Sequence, residues 1–393
     1  MSDYAQVVGV SMVKFSKPGA NEPYEIMGAK AIRGALEDAG IDYSEIQQAF
    51  AGYVYGDSTC GQRAVYEVGM TGVPVFNLNN YCASGSSALM LARQAVESGV
   101  VDCALAFGFE EMTPGALGSA FSDRTSPVGW IHARRVELHP ELPTDAPRAI
   151  QAFGAAGWEY INRYGANPDI FARVAVKSRA HAGKNPYALF TKPLTVEQVM
   201  EAPPLFPYMT RFMACPPTCG AAAAVVVSKS YAERHGITGG VEIIAQAMTT
   251  DTAETRTDLI NLVGADMTRR AAAQVYEAAG VGPEDVDVVE LHDCFTPNEV
   301  LSYEGLGLCE EGGAEKFILN GDNTYGGKFV VNPSGGLMSK GHPLGATGLA
   351  QCAELVWHLR GTAGERQVEN ARIGLQHNIG LGGACVITMY KAV

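Results

Sequence analysis

The sequence predicts an α/β fold built from two related units with a segment inserted into the first, and three observations carry that reading. Asn80-Tyr81-Cys82-Ala83-Ser84-Gly85 and the longer run from Asn332 to Gly348 are both glycine-rich turns that open into an apolar helix. Placing Cys82 on His342 aligns Gly85 with Gly345 and pairs a helix over 85–97 with one over 345–357. Upstream, Glu37-Asp38-Ala39-Gly40-Ile41 parallels Glu277-Ala278-Ala279-Gly280-Val281, each followed by an acidic helix start and an apolar strand, as expected of a duplicated αβ unit. Finally, 393 residues exceed the roughly 250–300 that one hydrophobic core serves, so two core units plus an insertion are expected.

The elements follow in order. Met1-Ser2-Asp3-Tyr4 leads directly into a strand at Val7-Val8-Gly9-Val10, with no signal or transit peptide visible. Gly72 to Leu78 reads as a strand entry, and Ser86 to Val96 has helical spacing and strong helix formers. Cys82 then sits at or just before a helix N-terminus, whose partial positive charge and free N–H groups lower a thiol pKa and bind an oxyanion. A buried structural cysteine is the other reading these six residues leave open. If the duplicates pack about a pseudo-two-fold axis, Cys82 and His342 meet at two facing helix N-termini, and a thiol beside an imidazole is an activated nucleophile.

Between Ser119 and Arg211 the composition changes. This segment carries 11 Lys/Arg against 8 Asp/Glu within a chain of net charge −13, and it holds Trp130, Trp158 and the turn Ala202-Pro203-Pro204. Arg163, Arg173, Lys177, Arg179, Lys184 and Lys192 cluster there, a patch that invites a polyanion, although Phe171 to Ser178 with Arg179 also reads as an ordinary amphipathic helix. After it, Gly220 to Val227 resumes as a buried strand of the first unit. Val286 to Leu291 is an apolar strand ending in His292-Asp293-Cys294-Phe295, and Thr296-Pro297-Asn298-Glu299 starts the next helix. Three reactive side chains at one strand end point to chemistry. Ile373 to Asn378 is a last strand, and it leads through Gly380 into a glycine turn whose N–H groups could face a substrate oxygen.

Apolar residues make up 47% of the chain, with no run long enough to span a membrane. Nine cysteines, odd in number and without Cys-x-x-Cys spacing, suit reduced thiols in a cytoplasmic protein. The nearest pair, Cys215 and Cys219, flanks Pro216-Pro217 with no nearby His pair, so no metal site is expected. The C-terminus, Tyr390-Lys391-Ala392-Val393, lacks a Ser-Lys-Leu-like peroxisomal address. Acidity of the whole chain argues against nucleic acid.

Taken in order, the Cys82 block, the His292-Asp293-Cys294-Phe295 block, the Gly341-His342-Pro343 block and the C-terminal Asn378-Ile379-Gly380 block resemble the thiolase superfamily over nearly the whole chain. His292-Asp293-Cys294-Phe295 and Gln376-His377-Asn378 resemble the sterol carrier protein 2 type of thiolase. Most thiolases carry their second catalytic cysteine in the C-terminal Cys-x-Gly block. Here Asn378 replaces it, and the resemblance assigns that role to Cys294, while Cys385 lies in an apolar run and reads as core.

The resemblance implies an αβαβα layered fold: two units, each a five-stranded mixed sheet with helices, at 1–118 with 212–250 and at 251–393. The inserted loop domain, 119–211, would bind coenzyme A. It implies CoA-dependent acyl transfer, by thiolytic cleavage of a 3-oxoacyl-CoA or the reverse condensation, with ping-pong kinetics and no covalently bound cofactor. Cys82 would carry the acyl group, His342 take its proton, and Cys294 move the proton at the carbon beside the carbonyl. His292 and His342 would hold the enolate oxygen, and the N–H groups of Cys82 and Gly380 the acyl oxygen. His377 either acts at the site or pins the glycine turn, with Asn378 as a support. Arg173, Lys177, Arg179, Lys184 and Ser334 are the candidate CoA contacts. Relatives pair as dimers or tetramers, some act with a separate partner subunit, and the lipid-carrier domain of some relatives is missing from this sequence. Two other activities share the resemblance: a retro-aldolase of steroid side chains, whose members lack the nucleophilic cysteine, and a decarboxylating ketosynthase, which has no use for Cys294.

Overall fold

The computed structural model describes residues 4–115, 118 and 121–393; the first three residues and part of the stretch where the insertion was expected to begin lie outside the described residues. Twelve strands are present among the described residues: β1 Ala5–Met12, β2 Gln48–Gly52, β3 Val75–Leu78, β4 Cys103–Glu110, β5 Pro204–Phe206, β6 Met209–Thr210, β7 Gly220–Ser228, β8 Val241–Thr249, β9 Val288–Glu290, β10 Val330–Val331, β11 Ile373–Gly380 and β12 Ala384–Ala392. Ten of them form one hydrogen-bonded series in the order β10-β9-β11-β12-β8-β1-β7-β4-β2-β3, and β5 with β6 makes a separate hairpin.

The series is two copies of one five-stranded pattern. In the first, β1 and β7 are antiparallel, β7 and β4 antiparallel, and β4, β2 and β3 parallel. In the second, β8 and β12 are antiparallel, β12 and β11 antiparallel, and β11, β9 and β10 parallel. Within the strand series the copies meet where Gln6 faces Glu242 and Val7 faces Val241. Strand β8 is thus the counterpart of β1 and opens the second unit, which moves the boundary expected at 250 to near 240. Its bonding decides this, since β8 pairs with β12 from Val241 to Thr249.

Five layers result. The helix Tyr24–Ala39 covers one face of the first sheet, and the helix Ala265–Ala279 covers the outer face of the second. Between the sheets lie Ser84–Glu97 and Thr347–Arg360, packed on each other. Both faces of a sheet are therefore buried, and the strands read as continuous apolar runs. In β7, Ala222, Ala224 and Val226 face the central helices while Ala221, Ala223, Val225 and Val227 face the outer core. The central helices approach closely through glycine. A Cβ on Gly85 would lie 2.6 Å from the Gly345 oxygen, and one on Gly348 would lie 2.3 Å from the Ser86 nitrogen.

The insertion spans β4 to β7, and its helices Gly129–Leu138, Arg148–Tyr164 and Asp169–Ala182 pack on the second unit. Phe153 stacks on Phe295 with ring centroids 5.1 Å apart, and Gly157 abuts Pro297. In the second unit the matching connection is the short turn between β11 and β12. No helix among the described residues is long and apolar enough to cross a membrane.

Candidate active site

Cys82 and His342 come from matching connections, β3 to its helix and β10 to its helix. Each connection contains a non-glycine residue in the left-handed region, Tyr81 at φ 53° and Asn332 at φ 52°, a conformation costing about 1–3 kcal/mol that the surrounding structure must hold. The two positions are not equivalent in register. The helices begin at Ser84 and Thr347, so Cys82 stands two residues ahead of its helix and His342 five ahead, a correction to the alignment of Cys82 on His342. The longer approach lets His342 reach back to the first residue of its own helix.

The thiol of Cys82 and ring nitrogens of His292 and His342 lie within 4.8 Å of one another, all buried. The two imidazoles meet edge to face with centroids 5.1 Å apart. Their protonation follows from partners that admit one direction only. Thr347 Oγ1 donates to the Pro343 carbonyl at 2.9 Å, so it accepts from His342 Nδ1–H at 2.7 Å. That leaves His342 Nε2 with a free lone pair, buried and without a hydrogen-bond partner. It is a base.

His292 is set the opposite way. Gln376 Nε2 donates to the Gly348 carbonyl at 2.6 Å and to Ser86 Oγ at 2.8 Å, and its oxygen accepts from the Tyr390 hydroxyl. Ser86 must then donate to Asn378 Oδ1, at 2.8 Å, which turns the Asn378 amide nitrogen toward His292 Nδ1 at 3.0 Å. Accepting at Nδ1, the neutral ring carries its proton on Nε2 and is a donor. One carbonyl, that of Gly348, thus fixes the tautomer of a histidine four bonds away along a hydrogen-bonded chain. Donor atoms at this spacing also suit a metal ion; in the neutral pair of rings His292 carries its proton on Nε2 and His342 a lone pair there.

Burial dominates the electrostatics. It pushes the Cys82 thiol well above its ordinary range, helped by Cys215 and Glu110, and outweighs the N–H groups of Cys82 and Leu381 that lower it. The depressed thiol expected from the helix N-terminus is therefore corrected. Burial also lowers His342 to about 3 and takes His292 well below its usual value, where His342 and His377 act in the same direction. Thiol and imidazole rest as a neutral pair. The second N–H near the sulfur belongs to Leu381, one residue beyond the expected Gly380, whose own position is fixed by close approach to the Asn80 carbonyl.

Cys294 is buried, and its thiol is raised by burial and by Cys215, Cys82 and Asp293. Cys215, not anticipated as a site residue, donates its N–H to the Cys294 carbonyl at 2.9 Å, and Ala214 bridges Phe295. Thr218 from the same segment accepts the His342 N–H at 3.2 Å. The pair Pro216-Pro217 just before β7 was the only signal for this frame. Glu110 was missed as well; it accepts from the N–H groups of Val54, Tyr55 and Gly345 and, raised to about 7 by burial, ties the two units together beside the site. Asp293 accepts from Leu337 N–H at 2.7 Å and steadies the turn that precedes His342.

His377 lies on the other face of β11. Its Nε2 meets Thr268 Oγ1 at 3.0 Å and its Nδ1 accepts from the His292 N–H at 3.5 Å, so it braces the His292 backbone. Of the five CoA candidates, two are interior, which corrects the expectation for them. Lys177 is buried against Glu299 and the Val331 carbonyl, and Ser334 gives its hydroxyl to Glu290 at 2.7 Å. Arg173 pairs with Asp169 at 2.8 Å. Arg179 lies 4.4 Å from the Phe190 ring centroid and Lys184 lies 4.3 Å from that of Tyr325, and neither forms an ion pair among the described residues.

Family models match over residues 5–203, the thiolase N-terminal domain, and 245–389, a thiolase C-terminal domain-like region. The chain belongs to the thiolase family and is an enzyme of that acyltransferase class. Within the family it is 51% identical over 389 residues to sterol carrier protein 2 of Gallus gallus, covering 98% of this chain and 71% of that one. It is 34% identical to an acetyl-CoA acetyltransferase of Methanothermobacter thermautotrophicus, over the full length of both. Among solved structures, the one titled Ltp2-ChsH2(DUF35) aldolase shares the fold at a TM-score of 0.84 and 22% identity, covering 99% of this chain and 98% of that one.

Proposed function

We propose that this enzyme transfers an acyl group between CoA thiols through Cys82, cleaving a 3-oxoacyl-CoA or running the reverse condensation. The observation that carries the reading is the meeting of the Cys82 thiol with ring nitrogens of His292 and His342 within 4.8 Å, His342 keeping a lone pair at Nε2 and His292 a proton at Nε2, with Cys294 close by. In cleavage, His342 takes the Cys82 proton as sulfur bonds to the 3-oxo carbon. The bond between C2 and C3 breaks, its electrons forming an enolate whose oxygen is held by His292 Nε2–H. Cys294 protonates C2 and releases acetyl-CoA. Free CoA then gives its thiol proton to the Cys294 thiolate and attacks the thioester, and Cys82 leaves and recovers its proton from His342. Every proton returns.

Arg179 and Lys184, cations on the inserted domain with no ion pair among the described residues, are suited to the CoA phosphates. A homodimer is supported by β3, an edge strand on which Phe76 is 45% exposed, with Met70 79% exposed just before it. The aldolase reading rests on a fold likeness alone, and Cys82 and Cys294 both favour acyl transfer. Intact-protein mass spectrometry after mixing with acetoacetyl-CoA tests the choice. An acetyl adduct on the wild type, absent from Cys82→Ala and discharged by CoA, is expected. No adduct with acetoacetyl-CoA or longer 3-oxoacyl-CoAs would move the assignment to aldol chemistry with a partner subunit.

A further inference from the structure

The helix Gly129–Leu138 holds a charge that has no partner among the described residues. Arg135 is 1% exposed, and none of its three guanidinium nitrogens makes a hydrogen bond or an ion pair. Next to it, half-buried His132 has no partner at either ring nitrogen, and Arg148, at the start of the following helix, is near enough to act on it electrostatically. An isolated buried charge is unfavourable, and a folded protein tolerates it where an anion arrives from outside.

The position says which anion. A Cβ on Gly382 would touch Val128, the residue that opens the Arg135 helix, at 3.1 Å, and Gly382 adjoins Leu381, whose N–H faces the Cys82 sulfur. Arg135 lies seven residues on, about 10 Å along the axis at 1.5 Å per residue, and helical side chains lean back toward the N-terminus, here toward the site. The second wall converges on the same place, because five residues after Arg148 comes Phe153, stacked on Phe295 beside Cys294. A CoA phosphate belongs at the outer mouth of such a site. A buried guanidinium on a wall that starts beside the Cys82 sulfur is suited instead to the far end of the acyl group.

We propose that Arg135, with His132 and Arg148, receives a carboxylate at the end of the acyl chain, so that ω-carboxylated 3-oxoacyl-CoAs are preferred over methyl-terminated ones. This rests on the acyl-transfer reading and deepens it to a substrate class. The test compares kcat/KM for 3-oxooctanedioyl-CoA and 3-oxooctanoyl-CoA. The wild type is expected to favour the first by about tenfold or more, Arg135→Lys to keep the preference, and Arg135→Leu to reverse it. Octanedioate is expected to raise the Tm of the wild type and not of Arg135→Leu.

A wild-type ratio near one, or a ratio that Arg135→Leu leaves unchanged, overturns the proposal while leaving acyl transfer intact. So does a weakened affinity of Arg135→Leu for CoA alone, which would assign the guanidinium to a phosphate, or a change in its oligomeric mass, which would assign the counter-ion to a second copy. If neither substrate acylates Cys82, the acyl-transfer reading fails instead, and the octanedioate shift alone decides whether the anion site exists.

Discussion

Asn378 stands where most thiolases have a cysteine, and the exchange changes what the position does: an amide cannot shuttle a proton at carbon, but it can fix the tautomer of a neighbour. Its nitrogen holds His292 Nδ1 at 3.0 Å. Asn378→Ala frees that ring to turn its lone pair toward the enolate oxygen, and losing one such donor costs on the order of 100-fold. Steady-state thiolysis of acetoacetyl-CoA should show that fall in kcat with KM nearly unchanged, and an unaltered kcat would remove Asn378 from the argument. The neutral resting pair makes a second prediction. With the thiol raised and His342 lowered to about 3, both are uncharged at neutrality, and the thiolate fraction grows with pH. Iodoacetamide inactivation of Cys82 should therefore climb about tenfold per unit from roughly pH 5 to 8. A level rate across that window would mean a thiolate–imidazolium pair already formed.

At the level of elements, the site exists because two helices touch through glycine. Gly348 sits where an added Cβ would be 2.3 Å from the Ser86 nitrogen and 2.9 Å from Asn378 Oδ1. Alanine gains roughly 1 kcal/mol of helix propensity there, but backbone cannot yield as a side-chain tip can, and overpacking costs about 1–3 kcal/mol or more. Gly348→Ala should lower the urea midpoint and reduce activity beyond what lost stability explains, because Ser86 and Asn378 belong to the chain that sets His292. A variant as stable and active as the wild type would show that the helices can separate freely. These contacts also mark how far sequence reading went. The strand at Gly220 to Val227, the helix starting at Thr296 and the four blocks of the family resemblance were legible because burial on both faces leaves long apolar runs and glycine marks close approach. The register of His342 was not, since an aligned glycine does not say how many residues precede the first helical turn.

For the whole molecule, duplication explains both the architecture and its open edge. Each five-stranded copy buries its inner face against the central helices, yet β3 closes the first copy without a neighbour. Phe76 and Met70 leave apolar surface there that a second copy would cover. Size-exclusion chromatography with light scattering should give a dimer for the wild type and a monomer for Phe76→Lys combined with Met70→Lys. A wild-type monomer would remove the interface, and so would an unchanged mass in the variant.

By itself the sequence determined the α/β class and the duplication, and its four blocks carried the family resemblance that implies the layered fold, because periodicity, glycine turns and reactive side chains at strand ends are local properties. The tertiary structure decided what those residues are. Protonation of His292 and His342 depends on Gly348, Pro343 and Ser86, and the neutral state of Cys82 depends on burial between two units. Lys177 and Ser334 were read as CoA contacts and are interior, paired with Glu299 and Glu290. Desolvation and hydrogen-bond direction are set by groups distant in the chain, so no local pattern carries them.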